Sequence, residues 1–343
     1  MLKKILIVCG VVVVGLSAAG WPMLRYGWGQ LHGQLHIIRN ARPVETFLQD
    51  PAFPDSLKAR LRLVREVRRY AVDSLGLNES ENYTTLYDQR GEPVLWNVTA
   101  ARPFKMEAKE WHFPFLGSFS YKGFFDRDWA EAEAEAAHDD GWETRIYPVG
   151  GWSTLGWFKD PILSNMLTRS EGALAELIIH ELTHGTLYVK NEVTYNENLA
   201  TFVGEEGARR FLAQKYGDTA EVYRRYVSGD EDYRRFADHI LRGGKQLDSL
   251  YGEFTETMTV AEKQSRKEAV IRGIVARVDT IGFAFPERYR RRFQGDKLPN
   301  NTLFLSFQRY REAQNQFADE FEEEFGGDFP RYMAHLKKKY PSL

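Results

Sequence analysis

GALAELIIHELTHGTLYV, residues 172–189, decides how this chain is read. Leu174, Leu177, Ile178, Leu182 and Tyr188 mark a helix of the buried kind, and HELTH sets His180 and His184 four residues apart within it. Such residues differ by only about 40° around a helix, so both imidazoles leave one face and can grip one ion. Glu181 stands one residue on, beside such an ion rather than on it, where a carboxylate can take a proton from a water. The plain alternative is two hydrogen-bonded core histidines. Two imidazoles on the apolar side of one helix, with a carboxylate between them, are costly to bury without a charge partner, and a metal dication is such a partner.

A third ligand is sought in the next segment, KNEVTYNENLATFVGEEG (190–207). Asn196 or a neighbour can open a second helix with Glu197 in its first turn, and a short loop after His184 can return Glu197 to the ion. Glu192 lies in that loop and is less well fixed, and Glu205 and Glu206 stand two turns further along. Two histidines and one glutamate leave a fourth tetrahedral position for water, as a catalytic zinc requires.

The 343 residues are enough for one large domain or two smaller ones. Hydrophobic residues make up 43%, charged residues 27% and the net charge is -2, with no basic patch that argues for a nucleic-acid partner. MLKK is followed by the uncharged apolar run 5–24, about long enough to span a bilayer as a helix. Lys3 and Lys4 before it keep the N-terminus in the cytoplasm, so the expected body is exported. A signal peptide cleaved near Ser17–Ala19 is the rival reading of the same run. The only cysteine, Cys9, lies inside it, so metal ligands in the body must be His and carboxylates.

Residues 55–77 read as a helix from Leu57, Leu61, Val64, Val67 and Ala71. From Tyr83 to Pro161, short runs rich in β-branched and aromatic residues and broken by Gly and Pro read as strands and turns. RDWAEAEAEAAHDDG between them reads as a solvated helix, with His138, Asp139 and Asp140 at its surface end. YPVGGWSTLGW (147–157) is either a sheet edge able to pair with an extended peptide or a buried strand and turn. Helices are expected over 170–189, 196–216, 219–245, 259–278 and 305–325, with KKKYPSL as a frayed end. Strands followed by helices suggest α+β, in one domain over 25–343 behind a signal or anchor segment 1–24.

HELTH followed by NENLATF resembles the gluzincin metallopeptidases, where HExxH precedes a helix with Asn-Glu-x-x-Ala. More narrowly, the chain resembles the "putative aminopeptidase" family of Gram-negative bacteria. The likeness runs through ARPVETFLQDP (41–51), VLWNV (94–98), YKGFFD (121–126), STLGWFKDPILSNML (153–167), residues 180–207 and LPNNTLFLSFQRY (298–310). It implies a zincin-like domain with one zinc on His180, His184 and Glu197, Glu181 as general base, and Asn196 hydrogen-bonded to a ligand histidine. It further implies an aminopeptidase acting on peptides in the bacterial envelope, with the body in the periplasm. An endopeptidase and a non-catalytic metal-stabilised scaffold are the alternatives. Many relatives are lipoproteins, for which this chain lacks the signal, and many carry a cysteine pair where it has His112 and Ser118. Tyr310 is the candidate donor to the transition-state oxyanion. Asp126 and Asp160 are the candidate acceptors of a substrate α-ammonium.

Overall fold

The computed structural model describes residues 23–113, 117–149, 159–190, 192–295, 297–311 and 314–340. The apolar run falls, but for its last two residues, outside them, as do 150–158 of the expected edge segment. Among the described residues no helix is long and apolar enough to cross a membrane.

Helix α1 (23–40) leads through strand β1 (Arg42–Pro43) and α2 (Val44–Gln49) into α3 (Asp55–Asp73). Then come β2 (Thr85–Tyr87), β3 (Trp96–Ala101), β4 (Trp111–Phe113), β5 (Gly117–Phe119), β6 (Lys122–Phe124), α4 (Arg127–Asp139), β7 (Glu143–Pro148) and β8 (Ile162–Leu163). The strands form three small sheets, ordered β1-β2-β8, β6-β3-β7 and β4-β5. Only β2 and β8 run parallel. In β6-β3-β7 the pleat sends Val98, Ala100 and Ile146 to one face, where they pack with Ala130, Ala134 and Ala137 of α4. Thr99, Arg145 and Tyr147 fall on the other face.

The second half is helical: α5 (Glu171–Thr186), α6 (Val193–Tyr216), α7 (Glu221–Gly252), α8 (Val260–Arg277), α9 (Pro286–Arg290), α10 (Asn301–Arg311), α11 (Gln314–Phe325) and α12 (Phe329–Lys339). The chain is therefore α+β, as expected. Several boundaries differ. α6 starts three residues before Asn196, and α7 runs past 245 to Gly252. The helix expected over 305–325 is two helices, the first starting at Asn301. Of the expected frayed tail 337–343, residues 337–339 form the last turn of α12, a helix capped by Asp328, whose side chain accepts from the Arg331 N–H, and buried through Phe329, Tyr332, Met333 and Leu336.

Among the described residues, two further apolar cores join the one between α4 and the β6-β3-β7 sheet. The larger gathers side chains of α2, α3, α5, α6, α11 and α12. The smaller joins α7, α8, α9 and α10.

Candidate metal centre

α5 is fixed at its start by Ser170, whose hydroxyl accepts from the Ala173 N–H, and Glu171 suits the positive helix end. Leu174, Ala175, Ile178, Ile179 and Leu182 bury it in the larger core. α6 comes back across α5 very closely because Gly204 faces it. A β-carbon on Gly204 would stand 3.0 Å from the Glu176 carbonyl oxygen and 3.2 Å from the His180 β-carbon. The loop between the helices is clamped by Asn196. Its side chain accepts from the Val189 N–H at 2.8 Å and donates to the Val189 carbonyl at 2.7 Å. Asn196 was expected on a ligand histidine. Instead both its polar ends are spent on the loop, and the Nδ1 of His184 is buried without a hydrogen-bond partner among the described residues. Asn196 thus fixes Glu197 through the backbone, not His184 through its ring.

This packing gathers His180, His184 and Glu197, the one group among the described residues with metal-ligand spacing. The two Nε2 atoms are 3.2 Å apart, and the Glu197 Oε2 lies 3.5 Å from that of His180 and 3.7 Å from that of His184. Ligand atoms at about 2.0–2.1 Å from a tetrahedral zinc stand about 3.3 Å from one another. The three present atoms match that triangle, so the donor set fits the ion. Burial works to raise the Glu197 carboxyl, but the two imidazoles outweigh it and hold the group well below the usual carboxylate range.

Glu181 is buried beside them. Burial, the largest influence, raises its carboxyl to about 7; Glu197 and Asp160 add to this, while His180 and Arg169 work against it. A carboxyl near neutrality is suited to accept and return a proton. A dication on the three ligands would draw its pKa down.

Of the other carboxylates weighed, Glu192 is exposed at the start of α6. Glu205 turns to Arg234 at 3.7 Å, and Glu206 to Arg209 and Arg210. Asp126 caps α4 through the Asp128 and Trp129 N–H groups, a structural role. Asp160 is fully buried, and its charge is felt by both Glu181 and Tyr83. His138 is exposed, as expected of a surface helix end. His112 and Ser118 sit opposite each other across the β4-β5 hairpin, 3.2 Å apart at Nδ1 and Oγ. Tyr310 lies in α10, and its side chain is outside what the structure describes.

Two residues of this neighbourhood escaped the sequence reading. Tyr83 is buried on the β2 side with a left-handed backbone (φ 60°) and its N–H on the Asp160 carbonyl at 2.6 Å. Burial and then the charges of Glu181 and Asp160 push its hydroxyl well above the ordinary tyrosine range. Arg169 ends the 3-10 turn Ser164–Thr168 and bears on Glu181 and Glu176. A positive φ on a tyrosine has no reliable sequence signal.

The family model described as "Putative aminopeptidase" matches residues 25–340, and the chain belongs to that family. No curated protein and no solved structure matches.

Proposed function

We propose that the chain is a zinc-dependent peptidase of the gluzincin kind, one domain over 25–343, that removes residues from the free N-termini of peptides. The observation that carries the metal reading is the triangle of His180 Nε2, His184 Nε2 and Glu197 Oε2. His and carboxylate donors without thiolate suit zinc in a hydrolytic site, and three protein ligands leave a position for water or substrate. When bound, zinc supplies a Lewis acid for the scissile carbonyl and makes water a stronger acid. Glu181 takes the proton of the attacking water on its carboxylate and returns it to the leaving amine. Asn196 keeps Glu197 in place by holding Val189. Exopeptidase action is supported by the family description, "Putative aminopeptidase".

The same reading puts the body on the periplasmic face of an inner membrane, held by residues 5–24 or released from them. Supporting it, Leu24, Trp28 and Leu31, at helical spacing on α1 from the end of the apolar run onward, are 64%, 70% and 44% exposed.

Metal analysis of the purified chain, together with hydrolysis of amino-acyl and N-acetylated peptides, tests the proposal. One zinc per chain is expected. His184→Ala and Glu197→Ala should lose it, while Glu192→Ala keeps it. Glu181→Gln should keep the metal and the fold but lose about a hundredfold or more in turnover. Full zinc in Glu197→Ala would remove the third ligand, and wild-type turnover in Glu181→Gln would leave a metal-stabilised scaffold as the better reading. Acetylation of the peptide N-terminus should cost at least about tenfold in kcat/KM, the loss expected when the charge of the α-ammonium no longer contributes to binding.

A further inference from the structure

The open face of the β6-β3-β7 sheet looks into a cavity of about 520 Å³, bordered by α7, α10 and residues 292, 293 and 297–300. Arg145 of β7 lines it from one segment, and Arg292 and Lys297 line it from another. None of the described residues lining it is acidic. Several arginines elsewhere in the molecule lean on carboxylates: Arg209 and Arg210 on Glu206, Arg234 on Asp230, Arg235 on Asp232, Arg290 on Asp279. In the cavity, Arg145 lies 5.3 Å over the Tyr147 ring and Arg292 5.4 Å over Phe236, and neither has a carboxylate among the described residues. Burial, the largest influence, pulls the Arg145 guanidinium below its ordinary pKa; Tyr147 opposes this, and repulsion from Arg292 adds to it. An anion between them would relieve that repulsion.

The rest of the wall decides what kind of anion. Tyr147, Tyr233, Phe293 and Phe307 give an aromatic lining, so a small inorganic ion would leave most of the space unused. The volume fits an organic ligand, and guanidinium forks match carboxylate geometry. The Asn300 amide donates to the Thr144 carbonyl at 3.1 Å, which turns the Thr144 peptide group to the outer side of β7. By the two-residue repeat of a strand, the Ile146 N–H and C=O also point away from β3, to the outer edge of β7.

We propose that this cleft binds the carboxylate of a peptide, at its C-terminus or on an acidic side chain, between Arg145, Arg292 and Lys297. That the carboxylate belongs to a peptide rests on the peptidase reading; the anion site itself does not.

The test is calorimetric binding to the full chain carrying Glu181→Gln, with and without chelator. The probes are an N-acetyl tripeptide as free acid, the same peptide as C-terminal amide, the amide with an internal glutamate, and inorganic phosphate. The free acid should bind at least about tenfold more tightly than the amide, with or without chelator, and the gap should shrink with added salt. Arg145→Gln with Arg292→Gln should abolish the gap while metal content and circular dichroism stay as in the parent. A gain from the internal glutamate equal to that of the free terminus assigns the site to any peptide carboxylate; no such gain assigns it to the C-terminus. Equal binding of acid and amide by the parent, or an undiminished gap in the double variant, overturns the proposal. So does phosphate binding more tightly than either peptide. Absence of zinc or of hydrolysis in the natural chain would sink the peptidase reading alone, because this measurement needs no turnover.

Discussion

Tyr83 brings its hydroxyl into the protein beside Glu181 and Asp160, yet no described residue hydrogen-bonds it. A buried hydroxyl left unmatched costs about 1–3 kcal/mol, and the left-handed backbone beneath it adds strain. Such a group is kept where something other than stability needs it. Tyr83→Phe removes the unmatched hydroxyl and leaves the ring. The variant should melt no lower than the parent and keep its zinc, while kcat/KM falls about tenfold, the size of one lost hydrogen bond. Unchanged kcat/KM would make the hydroxyl idle. The contrast between Tyr83 and the histidines shows where sequence reading reaches. His180, His184 and Glu181 share one helix, whose period turns spacing into geometry. Glu197 needed only a short loop more. Asp160 could be named only beside Asp126, because nothing local separates a carboxylate in the site from one that caps α4. Tyr83 meets Glu181 solely through the packing of the β2 region on α5, which no local pattern encodes.

At the scale of the helices, the centre depends on how closely α5 and α6 approach. Gly204→Ala should be tested against Gly229→Ala in α7, where the nearest atom to a new β-carbon is the Arg288 Nη1 at 3.9 Å. Alanine favours a helix interior over glycine by about 1 kcal/mol, so Gly229→Ala should raise the melting temperature. At Gly204 the obstacle is partly backbone, which cannot rotate away as a side-chain tip can. The helices must part, and zinc affinity should fall at least about tenfold, as misplacing ligands by a few tenths of an ångström would bring. Competition with a chromogenic chelator reads this directly, and parent-like affinity would show that the close crossing is not what sets the ligand triangle. The same helices explain the misplaced boundaries. Asn196 has the chemistry of a helix cap and was read near a helix start, but its side chain is committed to Val189 three residues inside α6. Gly243 and Gly244 resemble a stop signal in α7. Gly243 instead makes room for Ile274 and Phe304, a tertiary demand that overrides local preference.

Across the whole molecule, the pair α5 and α6, which carries His180, His184 and Glu197, is held by chain from both ends. α3 packs on it from one side and α11 and α12 from the other, in one apolar core. Phe202 of α6 meets Phe317, Phe321, Phe329 and Tyr332 in aromatic contacts. The closing helix was legible in principle: Phe329, Tyr332, Met333 and Leu336 have helical spacing, behind Asp328 as cap. The sequence reading ended its last helix at 325 and took the lysines 337–339 as the start of a frayed end. Those lysines suit the negative end of α12 while its apolar stripe faces inward. Leu336→Ala should therefore destabilise the protein by about 2–5 kcal/mol, the usual cost of emptying a fully buried leucine site. Lys338→Ala, on the exposed side of the same helix, should stay within about 0.5 kcal/mol of the parent. Because the core and the ligands share α6, the Leu336 variant should also release zinc at lower urea than the parent does. Denaturant unfolding followed by circular dichroism and by a zinc-sensitive dye gives both midpoints. If Leu336→Ala unfolds like Lys338→Ala, α12 is an appendage; if it unfolds early but holds its metal as the parent does, the centre is stable without the C-terminal clamp.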